Sequence, residues 1–113
     1  MYMLWLVLDD SAKLNEVLAA WDEAGAPGIT ILESTGLNRV LTRLGASAAF
    51  AGFGAMFGSG QIGHHTLFTI IPDLDLAQTI ITATEAVLGS LKEPNTGIAF
   101  ALPVAQTWGK PNA

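Results

Sequence analysis

The apolar positions along this chain change period several times, and each change marks an element. "MYMLWLVLDD" is a short, nearly continuous apolar run closed by two acids, which predicts a strand. "SAKLNEVLAAWDEAG" then places Leu14, Val17, Leu18 and Trp21 at i, i+3, i+4 and i+7, one face of a helix, with Lys13, Glu16, Asp22 and Glu23 mostly away from it. Asp9 or Asp10 supplies the N-terminal cap, because a carboxylate oxygen satisfies free N–H groups of the first turn. Gly25 supplies the left-handed stop, and Pro27-Gly28 a turn.

"GITILEST", residues 28–35, is a β-branched second strand, and "HTLFTII", residues 65–71, a third that ends at Pro72-Asp73. Asp73 or Asp75 caps a second helix, "LDLAQTIITATEAVLG". Its expected stripe is Leu76, Ile80, Ala83 and Val87, flanked by Ala77, Ile81 and Leu88. A polar connector, "SLKEPNTG", leads to a last strand in "IAFALPVAQTWG", where Pro103 requires an edge or a bulge. The order β-α-β-β-α-β with right-handed crossovers predicts an α+β, ferredoxin-like fold: a four-stranded antiparallel sheet with two helices on one face and a long loop between strands 2 and 3. Strands one and four are apolar at nearly every position, so the face without helices needs a cover, and self-association is the simplest one. Trp5, Trp21 and Trp108 are expected in the core or an interface, because an indole buries a large area and needs one acceptor.

The loop itself is unusual. From Leu44 to Gly63 it has twenty residues without a charge, six of them glycine, interleaved with Phe50, Phe53 and Phe57. That is membrane-spanning length, but glycine, serine and glutamine make it far less apolar than a spanning helix. On a helical projection the three phenylalanines share a face, so the expectation is a partly helical or disordered partner-docking loop. It is not expected to span a membrane or to join the sheet core.

Composition narrows the function. The 113 residues are the size of one domain, 1–113, long enough to bury roughly 65% of the unfolded surface. Half of the chain is apolar and 13% is charged, which points to surface buried against a partner or another copy. The net charge of -5 and five scattered basic residues argue against a nucleic-acid partner. There is no Cys, hence no disulfide framework or thiolate chemistry, and no basic flank or cleavage site beside the apolar N-terminal run. A cytoplasmic location is expected. No Ser-His-Asp order, Walker loop or His-Glu-x-x-His motif appears, so the chain is not expected to be an enzyme. His64 and His65 are adjacent in a strand and point to opposite faces, a poor chelate within one chain. No metal site is assigned.

The segment "GITILESTGLNR", residues 28–39, resembles the end of strand two in the PII nitrogen-regulatory signalling proteins, with Gly, hydrophobe, Thr, hydrophobe, Glu, Gly and Arg in the family's spacing. "IIPD" before the second helix and "IAF" running toward "VAQ" are similar to the family too. The resemblance implies a homotrimer with sheets packed inward and a T-loop, here residues 40–64, that docks on partners, membrane transporters among them. It implies an effector site for an adenine nucleotide or a small anion. Carried over, Thr30 lies near the base, and Gly36 and Arg39 near the phosphates. Lys92 and Gly97, in the connector 89–97, match the lysine and glycine of the phosphate-cradling B-loop. That connector holds one lysine, and Gln106, Thr107 and Trp108 stand where the family supplies arginines, so an effector less charged than a triphosphate is expected. The alternatives are a trimeric interaction protein without nucleotide binding and a divalent-metal-binding relative of the CutA trimers.

Overall fold

The computed structural model describes residues 1–34 and 64–109. The chain divides into two compact units, Met1–Leu32 with His65–Ala113 and Glu33–His64. Of the second unit, residues 33, 34 and 64 are described. The elements among the described residues are β1 (Tyr2–Leu8), a 3₁₀ turn (Ser11–Lys13), α1 (Leu14–Ala24), β2 (Thr30–Ser34), β3 (His64–Ile71), α2 (Leu74–Leu88) and β4 (Gly97–Pro103).

The strands form one sheet in the order β2-β3-β1-β4, and β1 pairs antiparallel with both β3 and β4. This is the α+β, ferredoxin-like arrangement, with sequence neighbours β1 and β2 separated in space by β3. Each helix therefore crosses from one strand to a strand two places away, the connection of a split βαβ arrangement. Pro103 closes β4 opposite Tyr2, and β4 is an edge strand, where a missing N–H costs the ladder little.

The alternation along β1 separates the two sheet faces. Leu4, Leu6 and Leu8 are buried and meet Val17 and Trp21 of α1 and Ala77 and Ile80 of α2, with Leu67 and Ile71 of β3 in the same cluster. Both helices thus cover one face. The caps that hold them are local and fit the sequence. Asp10 Oδ1 accepts from the Ala12 N–H at 3.0 Å and opens the 3₁₀ turn that precedes α1. Asp73 Oδ1 accepts from the Leu76 N–H at 2.8 Å and opens α2. Gly25 stops α1 in the left-handed conformation at φ 106°, where a β-carbon would be strained.

The buried line of α2 is displaced from its apolar pattern. Ala77, Ile80 and Thr84 are buried, whereas Leu76, Ala83 and Val87 are half-buried. Thr84 enters the core because Trp21 needs an acceptor there. The Trp21 indole donates to Thr84 Oγ1 at 2.9 Å, and the threonine hydroxyl donates to the Ile80 carbonyl at 2.7 Å. A polar side chain with both of its capacities met is compatible with full burial. At the other end of β1, the Ser11 hydroxyl and His65 Nδ1 share a hydrogen bond of 2.9 Å, linking the 3₁₀ turn to β3.

Candidate functional site

The face of the sheet away from the helices is apolar and aromatic. Trp5 lies across from Phe68 on β3 and Phe100 on β4 in the strand register. Its ring centroid is 5.1 Å from that of Phe68 and 6.0 Å from that of Phe100, the latter pair stacked. The alternate positions of β4 continue the patch, with Ile98 59%, Phe100 41% and Leu102 48% exposed. The Trp5 Nε1–H is buried and makes no hydrogen bond among the described residues. An apolar surface with a polar donor closed inside it is the composition of an interface core rather than of a solvated face.

A groove of about 470 Å³ is lined by residues 28–30, 68–70 and 107–109. It joins the entry to β2, the second half of β3 and the segment after β4. Thr30 lines it and is exposed. Thr69 lines it as well, but its hydroxyl is enclosed and makes no hydrogen bond among the described residues. Trp108 lines it and is 84% exposed. None of these nine residues carries a charge, so the groove by itself suits the uncharged part of a ligand.

The connector after α2 is tied down by its own hydrogen bonds. Glu85 Oε2 accepts from the Leu91 N–H at 2.9 Å, Ser90 Oγ accepts from the Lys92 N–H at 3.2 Å, and Thr96 Oγ1 donates to the Glu93 carbonyl at 2.9 Å. Asn95 adopts φ 64°, a conformation asparagine tolerates better than most residues. Lys92 is exposed in this turn. Gly97 pairs with Leu8 at φ 142°, and a β-carbon there would stand 2.6 Å from the Val7 carbonyl oxygen. Close strand approach accounts for this glycine without a ligand.

The sequence-predicted effector residues are therefore separated in one chain. Thr30 opens β2 and Gly97 opens β4, the two edge strands, with β3 and β1 between them. Three strand spacings put those edges about 14 Å apart. Gly36, Arg39 and the docking phenylalanines Phe50, Phe53 and Phe57 lie outside the described residues. Trp108, expected in the core or an interface, is not in the core of the single chain: it is 84% exposed and stands on the wall of an open groove. A lone aromatic in a polar tail carries no periodic signal that could have placed it there.

His65 shares its hydrogen bond with Ser11, and its neighbour His64, by strand alternation, faces the other side of the sheet. No group of three or more potential metal ligands occurs among the described residues. No helix among the described residues is long and apolar enough to cross a membrane. No protein-family model and no curated protein matches the chain.

Proposed function

We propose that this chain is a PII-like regulatory protein that senses a small anionic effector, an adenine nucleotide among the candidates, and acts on a protein partner through the segment between β2 and β3. A membrane transporter is the partner class that the apolar segment with Phe50, Phe53 and Phe57 would suit. The observation that carries the reading is the position of Thr30. The threonine of the "GITILESTGLNR" motif lines an open groove at an edge of a ferredoxin-like sheet. The same sheet leaves an aromatic face for other copies of the chain. In a homotrimer with those faces inward, the groove of one subunit would lie beside Lys92 and Gly97 of another. That arrangement would supply the cation that the groove lacks.

A thermal-shift panel of ATP, ADP, AMP, cyclic nucleotides and bicarbonate tests this. One-site linkage predicts about 2.7 kcal/mol of stabilisation at a hundredfold excess over the dissociation constant. No response to any anion at millimolar concentration removes the sensing function.

A second reading has its own support. Gly97 is explained by strand packing and Lys92 is the single cation of its connector, while the Trp5 face remains apolar and open. These favour a trimeric interaction protein that does not bind nucleotide, and the same panel separates the two.

A further inference from the structure

The Ser11 hydroxyl is exposed and lies 2.9 Å from Nδ1 of the half-buried His65, 54 positions away in the chain. Neither residue belongs to the groove or to the aromatic face. Thr79, Thr84 and Thr96 donate their hydroxyl hydrogens to backbone carbonyls, which accept a hydrogen bond but do not take the proton. A neutral imidazole with its hydrogen on Nε2 can do both at Nδ1. The 3₁₀ turn fixes the serine in place, because Asp10 Oδ1 accepts from the Ala12 N–H and the Asp10 carbonyl accepts from the Lys13 N–H, each at 3.0 Å. A nucleophile with a base at hydrogen-bond distance, both on ordered backbone, is the geometry of an activated hydroxyl.

The surroundings restrict what can react there. Asp9 and Asp10 immediately precede Ser11, and carboxylates beside the hydroxyl oppose an anionic phosphoryl group but not a neutral carbonyl compound. The N–H groups of Ala12, Lys13 and Leu14 are committed to oxygens of Asp10 and Ser11, so they do not form an oxyanion hole. Repeated turnover of a stable ester would need that stabilisation, whereas one transfer from a donor with a good leaving group does not.

We propose that Ser11 is a covalent modification site that accepts one acyl group from a neutral, activated carbonyl donor of the aryl-ester or thioester class, with His65 as its general base. His65 Nδ1 takes the Oγ hydrogen as Oγ bonds to the carbonyl carbon. The carbon–oxygen or carbon–sulfur bond to the leaving group breaks, and the leaving group takes the proton from His65. The products are acyl-Ser11 and a free phenol or thiol, with nothing oxidised or reduced.

Incubation of the full chain with p-nitrophenyl acetate, read by nitrophenolate release and fragment mass spectrometry, tests it. An acetyl group is expected on Ser11, removed by hydroxylamine as an ester is and absent in Ser11→Ala. His65→Asn keeps a hydrogen-bonding group near the position of Nδ1 but supplies no base, and is expected to slow acetylation of Ser11 about a hundredfold, as loss of a general base does. An unchanged unfolding midpoint in urea shows that the variant is folded. A comparison inside the wild-type chain needs no variant: Ser11 is expected to react about a hundredfold faster than Ser90, which is exposed and whose Oγ accepts from the Lys92 N–H. Acetylation of Ser11 no faster than that of Ser90 overturns the proposal, and so does a folded His65→Asn that reacts as fast as the wild type.

Discussion

Trp21 and Thr84, 63 positions apart in the chain, are joined in the core by a hydrogen bond of 2.9 Å from the indole Nε1–H to the threonine hydroxyl. Both side chains are fully buried. The Thr84 hydroxyl passes its own hydrogen to the Ile80 carbonyl, so the bond fixes α1 against α2 without leaving an orphaned group. Thr84→Val keeps the shape and removes the acceptor, leaving a buried indole N–H unpaired. It is expected to cost about 1–3 kcal/mol. Thr84→Ser keeps the hydroxyl and is expected to cost less than the valine. Urea unfolding checks both, with the change in the midpoint rather than in the slope. A valine variant as stable as the wild type would show that the bond adds nothing.

Gly97 sits where the strand pair β1–β4 begins, at φ 142°. Gly97→Ala meets two obstacles, a backbone conformation that L-residues rarely adopt and a contact of 2.6 Å with the Val7 carbonyl oxygen. The expected loss of stability is on the order of 1–3 kcal/mol, the cost of one strained backbone position. Because the obstacle is packing, the loss is expected in the ligand-free protein. Unchanged unfolding with impaired effector binding would return Gly97 to the effector site.

The aromatic face around Trp5 is expected to be the contact of a homotrimer. Phe100→Glu places a carboxylate at a position that is 41% exposed in the single chain but would be desolvated in the assembly. Sedimentation equilibrium is expected to give a trimer for the wild type and a folded monomer for this variant. A stable wild-type monomer at micromolar concentration would refute the assembly.

Arg39 is expected to contribute a charge-assisted hydrogen bond to an anionic effector. Arg39→Ala should weaken effector binding by about 1.5–3 kcal/mol, the range for a hydrogen bond to a charged group. Lys92→Ala should weaken it in the same direction. Calorimetric affinity unchanged in both variants would move the anion site elsewhere.

Deleting residues 46–60 and joining the ends with a short polar linker is expected to leave the protein folded and trimeric while abolishing partner capture. The core that closes around Trp21 draws on β1, α1, β3 and α2, none of which is shortened by the deletion. Circular dichroism and sedimentation read the outcome, and unfolding or dissociation would assign the segment to the core.

The elements were legible in the sequence because their signals are local. The i, i+3, i+4, i+7 spacing from Leu14 to Trp21, the capping aspartates Asp10 and Asp73, and the stop at Gly25 each act within one or two turns of chain. Their order limits the topology to few choices, and the observed β2-β3-β1-β4 is compatible with the ferredoxin-like sheet expected. The candidate site was legible only in part. Thr30 belongs to a motif and lines the groove, but the groove also needs residues 68–70 and 107–109, which come together through strand order and not through spacing.

By itself the sequence determined which segments become strands and helices, where they stop and that one sheet face would be apolar. These follow from side-chain period and backbone preference, which are properties of neighbouring residues. Tertiary structure alone decided that Thr84 rather than Ala83 enters the core, that Gly97 is required by a carbonyl on another strand, and that Trp108 faces a groove instead of the interior. Each of those depends on a group far away in the chain, a donor on α1, an oxygen on β1 or the ends of β2 and β3. Burial and hydrogen-bond satisfaction select a residue by what stands opposite it in space, and the pattern of a single segment contains no record of that.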